Sequence, residues 1–380
     1  IIAADDLVPS ETVQLDQTSV TAIVTTEGSD RSHTAIFART MGLPTIVAVG
    51  KNFTSKYEGL FAIVDGNSGK IYIDPDESTI TRFKEIKKTD DSQKSHLEEF
   101  RGKITVTRSG RKINLYANSG SLADIDLIKA SDAEGIGLFR SEYIFMQAHD
   151  YPTEDYQLDI YKNVLEQMEG KKVIIRTLDI GADKTAEYFM LKPEDNPAMG
   201  VRAIRLCLQN KAIFKTQLRA LYRASVYGNL SIMVPLITSV EEVLETKKII
   251  QEVKTELKQQ NLAFNDNVEF GIMIETPAAA LISDELAKVV DFFSIGTNDL
   301  TQFTLAADRQ NADLTKYLNP YHHAVVRLIE MTIQNAHACG IWVGICGELA
   351  SDEKFLGKLI QLQVDEMSVV PSSVLTLRAK

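Results

Sequence analysis

Cysteine is scarce in this chain. Only three cysteines occur in 380 residues, Cys207, Cys339 and Cys346. None forms a CxxC pair, and an odd number leaves one over in any disulfide scheme, so a reduced, cytoplasmic setting is expected. Long apolar runs are also missing. No segment approaches the length of a transmembrane helix, and the first residues are neither basic nor signal-like, so no membrane partner is expected. Positive charge is in deficit: the formal net charge is −11. That argues against a nucleic-acid partner, although a local cluster of arginines can still hold a small anion. What remains is 44% hydrophobic and 24% charged, a balance that suits a soluble globular protein with a large core. The length is comfortable for two domains. The chain opens mid-pattern at Ile1-Ile2-Ala3-Ala4, which reads as a fragment or an excised domain pair.

One run stands out against this background: Gly28-Ser29-Asp30-Arg31-Ser32-His33-Thr34-Ala35-Ile36-Phe37-Ala38-Arg39. Val20 to Thr25 before it alternates and is rich in β-branched residues, as a strand is. Ala35 onward reads as a helix. His33 therefore sits where a loop becomes a helix, and the free N–H groups of a first helical turn favour an anion. An imidazole with an unperturbed pKa near ~6.5 is a good nucleophile at neutral pH. The spacing thus suits a phosphoryl-carrying histidine, although taken alone the motif reads first as an ordinary helix start capped by Ser32. Farther on, Ala62 to Ile73 reads as strand, Asn-Ser-Gly turn and strand, a hairpin. Arg82 to Lys103 is rich in Lys, Glu, Asp, Ser and Gln. It reads either as a charged helical connector between two bodies or as a plain surface helix.

From Ile104 the pattern alternates between strand and helix. Eight strand candidates follow: 113–117, 135–139, 173–178, 231–236, 270–274, 292–295, 342–345 and 367–370. Helical patterns such as 240–259 and 323–339 intervene. Apolar strands alternating with helices imply a parallel sheet covered by helices. Eight such units point to a closed (β/α)8 barrel, with an open doubly wound sheet as the competitor. The barrel is favoured because polar residues recur at many different strand ends: Arg140-Ser141-Glu142, Arg176 with Asp179 to Lys184, Glu275, Asn298-Asp299 with Arg309 beyond, and Cys346-Gly347-Glu348. No helix is expected after the eighth strand. Arginines at one mouth would hold carboxylate and phosphate oxygens in bidentate geometry. Glu275 and Asp299 are of the type that holds Mg²⁺ beside a substrate phosphate. Cys346 would exchange a proton with the reacting carbon. Singly, each residue has a plainer reading as a surface ion pair, a helix cap or a small core residue; the joint occurrence carries the case.

These strings together resemble the Enzyme I family of the bacterial phosphotransferase system, the phosphoenolpyruvate–protein phosphotransferases. The matching strings are Ser32 to Ile36 with Ala38-Arg39, Gly135 to Glu142, Arg176 to Gly181, Asn196 to Arg202, Gly271 to Pro277, Gly296 to Gln302 and Cys346 to Ala350. The resemblance implies an α/β fold: a swivelling phosphohistidine domain (partial, residues 1–81), a helical linker (82–103) and a phosphoenolpyruvate-binding TIM barrel (104–380) that lacks its last helix. It implies that His33 carries the phosphoryl group and that Cys346 is the proton donor. By the same likeness Arg140, Arg176, Asn298, Asp299 and Arg309 bind phosphoenolpyruvate, with Arg202 and Lys184 as further basic positions. Glu275 and Asp299 would hold Mg²⁺. Phosphoenolpyruvate, pyruvate, the small acceptor protein HPr and a second copy of the chain, through the barrel, are the implied partners. An ATP-using relative of the pyruvate phosphate dikinase or phosphoenolpyruvate synthase type, or a phosphoenolpyruvate-sensing module without turnover, are the competing readings. Departures from the family pattern are Ser29 in place of a second glycine, Tyr321-His322-His323 where a proline commonly stands, and the absence of the helical HPr-docking domain.

Overall fold

The computed structural model describes residues 1–5, 7, 20–28, 34, 35, 38, 43–50, 53–181 and 186–380. They divide into two units, Ile1–Glu99 and Phe100–Lys380. In the first, strands β1 (Ile2–Ala4), β2 (Ile23–Thr25) and β3 (Thr45–Ile46) form a parallel sheet in that order. β4 (Ala62–Asp65) and β5 (Lys70–Ile73) pair as the expected antiparallel hairpin. The Asp65 carboxylate accepts from the Asn67 and Ser68 amides, and Gly69 takes a φ of +66° that suits a residue without a side chain. The charged stretch is helical over Glu77–Glu98, starting earlier than its composition suggested, and it buries none of its residues. Asp76 caps it, accepting from the Thr79 amide at 2.7 Å.

The second unit is a closed parallel barrel. Its strands are β6 (Asn114–Ser119), β7 (Gly135–Arg140), β8 (Lys172–Arg176), β9 (Leu230–Val234), β10 (Glu269–Ile274), β11 (Phe292–Gly296), β12 (Trp342–Cys346) and β13 (Glu366–Val369), with β13 pairing β6 to close the ring. All eight expected strands are present. Helices Val240–Gln259 and His323–Ala338 also lie where the pattern placed them. Ser239 and Glu242 make a reciprocal capping box at the first of these. One expectation fails: a short helix, Val374–Ala379, does follow the eighth strand. Its apolar residues, Val374 and Leu377, are buried in the same core as the other barrel helices, which is what stabilises six residues too few to be helical alone.

Strand residues alternate between two cores. Val173, Ile175, Ile232, Val234, Ile272, Ile274, Val343 and Ile345 face outward against the helices. Tyr116, Leu138, Ile174, Met233, Met273, Phe292 and Cys346 fill the barrel interior together with Trp342. The period of two decides which polar residues point into the barrel: on each strand the interior set continues upward to Arg140, Arg176, Glu275 and Cys346. The floor is aromatic. Phe292 stacks on Trp342, centroids 4.4 Å apart and planes 5° from parallel. Gly271, beside Phe292 in register, leaves room for that ring, because a Cβ there would overlap it. Gly271→Ala is therefore expected to lower unfolding free energy by about 1–3 kcal/mol through overpacking; urea denaturation measures it, and an unchanged midpoint would contradict this packing.

Candidate active site

The mouth of the barrel is built from charges that are mostly buried. Arg176 ends β8 and is 4% exposed. Its guanidinium pairs with Glu142, which is fully buried, and with Asp179 at 2.9 Å. Asp179 also accepts from Arg202 at 2.9 Å, and Arg202 lies 3.7 Å from Asp299. Arg309 approaches the other oxygen of Asp299 at 3.6 Å. The result is an alternating ladder, Glu142–Arg176–Asp179–Arg202–Asp299–Arg309. Burial opposes charge on Arg176, but Asp179 and Glu142 outweigh it and hold the guanidinium more firmly protonated than usual. Arg202 behaves likewise beside Asp179 and Asp299. Arg140 ends β7 directly opposite Arg176 in the ladder of β7 and β8.

The backbone is shaped to hold this arrangement. Ser141 donates to the Arg176 carbonyl at 2.6 Å, and Gln217 in turn donates to Ser141 and accepts from the Leu178 amide. Gly181 adopts φ +120°, where a Cβ would collide with Arg202. Gly347 adopts φ +94°, and a Cβ there would strike Thr297 and Asn298. Asn298 accepts from the Glu348 amide at 3.0 Å, which ties the end of β11 to the end of β12.

Two carboxylates complete the mouth. Glu275 follows β10, is 1% exposed, and accepts from the Leu236 amide at 2.6 Å. Burial, then the nearby charges of Asp299 and Asp179, push its carboxyl up from the ordinary range, against Arg176 and Arg202. Asp299 Oδ1 is buried and accepts no hydrogen bond. A mutually repelling pair with an unused oxygen is a donor set that fits a divalent cation completed by substrate and water oxygens. Among the described residues no cluster of three or more His, Cys, Asp or Glu is of metal-binding type.

Cys346 ends β12 inside the barrel, 1% exposed, with Ser294 donating to its sulfur at 3.5 Å. Burial, reinforced by Glu366 and Glu275, pushes the thiol up to about 12, against the Ser294 bond and Arg176. It is therefore a thiol, not a thiolate, at neutral pH. The structure thus brings Arg140, Arg176, Arg202, Glu275, Asn298, Asp299, Arg309 and Cys346 to the C-terminal ends of the barrel strands and the loops that follow them. His33 and Lys184 lie outside the described residues. Thr34, next to His33, exchanges hydrogen bonds of 3.2 Å with the Leu7 amide and carbonyl. Sequence reasoning assigned no role to Glu142, Asp179 or Gln217. For the two acids a signal existed: both stand within three residues of strands that end in arginine.

A model of the PEP-utilising enzyme, PEP-binding domain, matches residues 94–380, and one of the PEP-utilising enzyme, mobile domain, matches residues 1–69. The chain belongs to the PEP-utilising enzymes. Within that family it is 44% identical over its whole length to the phosphoenolpyruvate-protein phosphotransferase of Bacillus subtilis, of which it covers 67%. The proteins of the same name from Priestia megaterium and Listeria innocua are 44% and 42% identical, each covered to 66%. The chain thus spans about two thirds of the length of these relatives. A solved HpcH/HpaI aldolase/citrate lyase family protein from Burkholderia cenocepacia superimposes on 75% of this chain and 95% of its own at a TM-score of 0.45 and 12% identity, a likeness too distant to speak to chemistry.

Because the thiolate is the reactive form of cysteine, Cys346 and the buried Cys207 should resist iodoacetamide in the native state at pH 7.5, whereas the exposed Cys339 is modified. Peptide mass mapping reads the order of labelling, and Cys346 reacting first would contradict the buried, protonated thiol.

Proposed function

We propose that this chain transfers the phosphoryl group of phosphoenolpyruvate to its own His33 and releases pyruvate, the donor half of a relay to HPr. The observation that carries the reading is the charge ladder at a barrel mouth with a buried, protonated thiol beneath it, in a chain whose relatives are named for this transfer. Arg140, Arg176, Arg202 and Arg309 supply the forked cationic donors that a phosphate and a carboxylate require. Asn298 adds a neutral polar contact and Lys184 a further positive charge. Being held in place before substrate arrives, the arginines neutralise developing charge without reorganising, which is how a buried polar site lowers a barrier.

The protein's steps follow from these side chains. The arginines fix the phosphate, His33 attacks phosphorus in line with the enolate oxygen, and that oxygen departs with its electron pair. Cys346 then gives its proton to the methylene carbon of the enolate, producing pyruvate. The family uses a divalent metal, and Glu275 and Asp299 would hold it, here as Mg²⁺; when bound it supplies positive charge beside the phosphate. The intact protein would pass the group onward to HPr in the cytoplasm and work as a homodimer through the barrel, with residues 82–103 linking the phosphohistidine domain (1–81) to the barrel (104–380).

Incubating the chain with labelled phosphoenolpyruvate and Mg²⁺ should place acid-labile phosphate on His33 with release of pyruvate. Equal labelling of wild type and His33→Ala would overturn the reading. Independently of turnover, Mg²⁺ should raise the melting temperature of the wild type by relieving the repulsion between Glu275 and Asp299. Glu275→Gln, which removes one charge, should melt higher than wild type without metal and lose most of the Mg²⁺ response. The sign follows from the raised carboxyl: an acid whose folded pKa lies above its unfolded value costs stability as pH climbs past the unfolded pKa. The gain from Glu275→Gln should therefore be larger at pH 8 than at pH 5. Differential scanning fluorimetry at both pH values tests this.

A further inference from the structure

Beneath Cys346 the barrel holds a carboxyl group that the reaction above does not use. Glu366, the first residue of β13, is fully buried, and neither of its oxygens has a hydrogen-bond partner. Leaving such a group bare inside a protein costs several kcal/mol unless it is neutral, and natural cores seldom carry one without a task. The neighbouring strands are built to admit it. On β12 a Cβ at Gly344 would overlap Glu366 Oε2, and on β7 a Cβ at Gly137 would overlap Oε1. The side chain thus occupies the space that two glycines leave open at the barrel axis.

The ladder sets what lies beside it. Ser294, Gly344 and Glu366 are consecutive partners across β11, β12 and β13. Adjacent strands are about 4.8 Å apart, so Glu366 Oε2, lying over Gly344, stands about one strand spacing from Ser294, and the two bond only when a side chain turns toward the other. The Ser294 hydroxyl donates to Cys346 Sγ. Cys346 stands two residues beyond Gly344 on the same strand and so faces the same interior. Carboxyl and hydroxyl therefore come from one level of the barrel, with the thiol above them toward the mouth.

We propose that Glu366 is the proton reserve of Cys346, supplying through the Ser294 hydroxyl the proton that the thiol gives to the enolate. The inference rests on the function proposed above. The transfers balance. Sulfur gives its proton to carbon, and the Ser294 hydroxyl proton moves to sulfur. The Glu366 proton then moves to the Ser294 oxygen, leaving a Glu366 carboxylate. After pyruvate departs, water entering the mouth returns one proton to sulfur, and the same chain runs backward to restore the acid. The direction is favourable because a buried thiol held near 12 is a poor place for negative charge. Burial keeps Glu366 neutral at rest, and Lys172 is the one neighbour that favours its ionised form. The other ionisable group facing it, the Tyr116 phenol, is itself pushed up by burial and by Glu366 and stays protonated.

The test is exchange of pyruvate methyl protons in D₂O with Mg²⁺, followed by NMR, on this chain. Glu366→Gln and Ser294→Ala should each lower the maximal exchange rate at least tenfold with the pyruvate KM within twofold. The double variant should lose no more than the worse single one, as members of one path do, and Ser294→Thr, which keeps the hydroxyl, should recover most of the rate. Exchange by Glu366→Gln within twofold of wild type, multiplying losses in the double variant, or no recovery in Ser294→Thr each overturns the proposal. If Glu366→Gln fails to fold, Ser294→Ala against Ser294→Thr decides alone. Phosphate uptake on His33 by the wild type is scored in parallel: its absence overturns the parent reading, whereas normal uptake with unaltered exchange in the variants overturns the proton reserve only.

Discussion

Everything at the barrel mouth depends on the buried ladder of alternating charge that begins at Glu142 and ends at Arg309. Two guanidinium groups almost out of water are tolerable only because each finds two carboxylates. Removing one carboxylate from such a set leaves an uncompensated buried charge, at a cost of about 3–5 kcal/mol. The ladder therefore does more than hold a substrate. It fixes the end of β8, the loop carrying Arg202 and the first turn after β11 relative to one another, and so sets where any bound anion must sit. Burial, helped by the Asp299 and Asp179 charges, holds the carboxyl of Glu275 above its ordinary range against the pull of Arg176 and Arg202, making the site a receptor for a cation and an anion together.

The interior beneath the mouth is graded. At the floor Phe292, Trp342 and Tyr116 fill the space, with Lys172 lying over the Trp342 ring and paired with Glu269. In the middle, Gly137, Gly344 and Ser294 replace large side chains and leave room for the Glu366 carboxyl. Above that stand Cys346, Met273 and then the arginines. Aromatic packing fills the interior below the mouth.

Much of this was legible in the chain. The eight barrel strands are short apolar runs, and the polar residues at their ends already marked Arg176, Glu275 and Cys346 as converging on one mouth. The hairpin of Ala62–Ile73 was written in its turn residues. The short helix Val374–Ala379 was not legible, because six residues have little helical tendency of their own and this segment depends on burying Val374 and Leu377. The bounds of the charged helix were shifted for a related reason: composition marks where charge is dense, whereas the helix begins where Asp76 caps it. Glu142, Asp179 and Gln217 escaped notice as structural partners because each makes a contact across strands, to residues 23 to 76 positions away.

The sequence by itself determined the barrel, the polar residues at its strand ends and the family to which the chain belongs. These are properties of local pattern, and pattern is written along the chain. Which arginine pairs with which carboxylate, which oxygen is left bare, and that a serine and a glutamate lie under the cysteine were decided only when eight strands closed into a ring. Register between strands and the loss of water inside the ring are long-range outcomes, and it is the absence of water that turns ordinary acids, bases and thiols into groups with altered protonation.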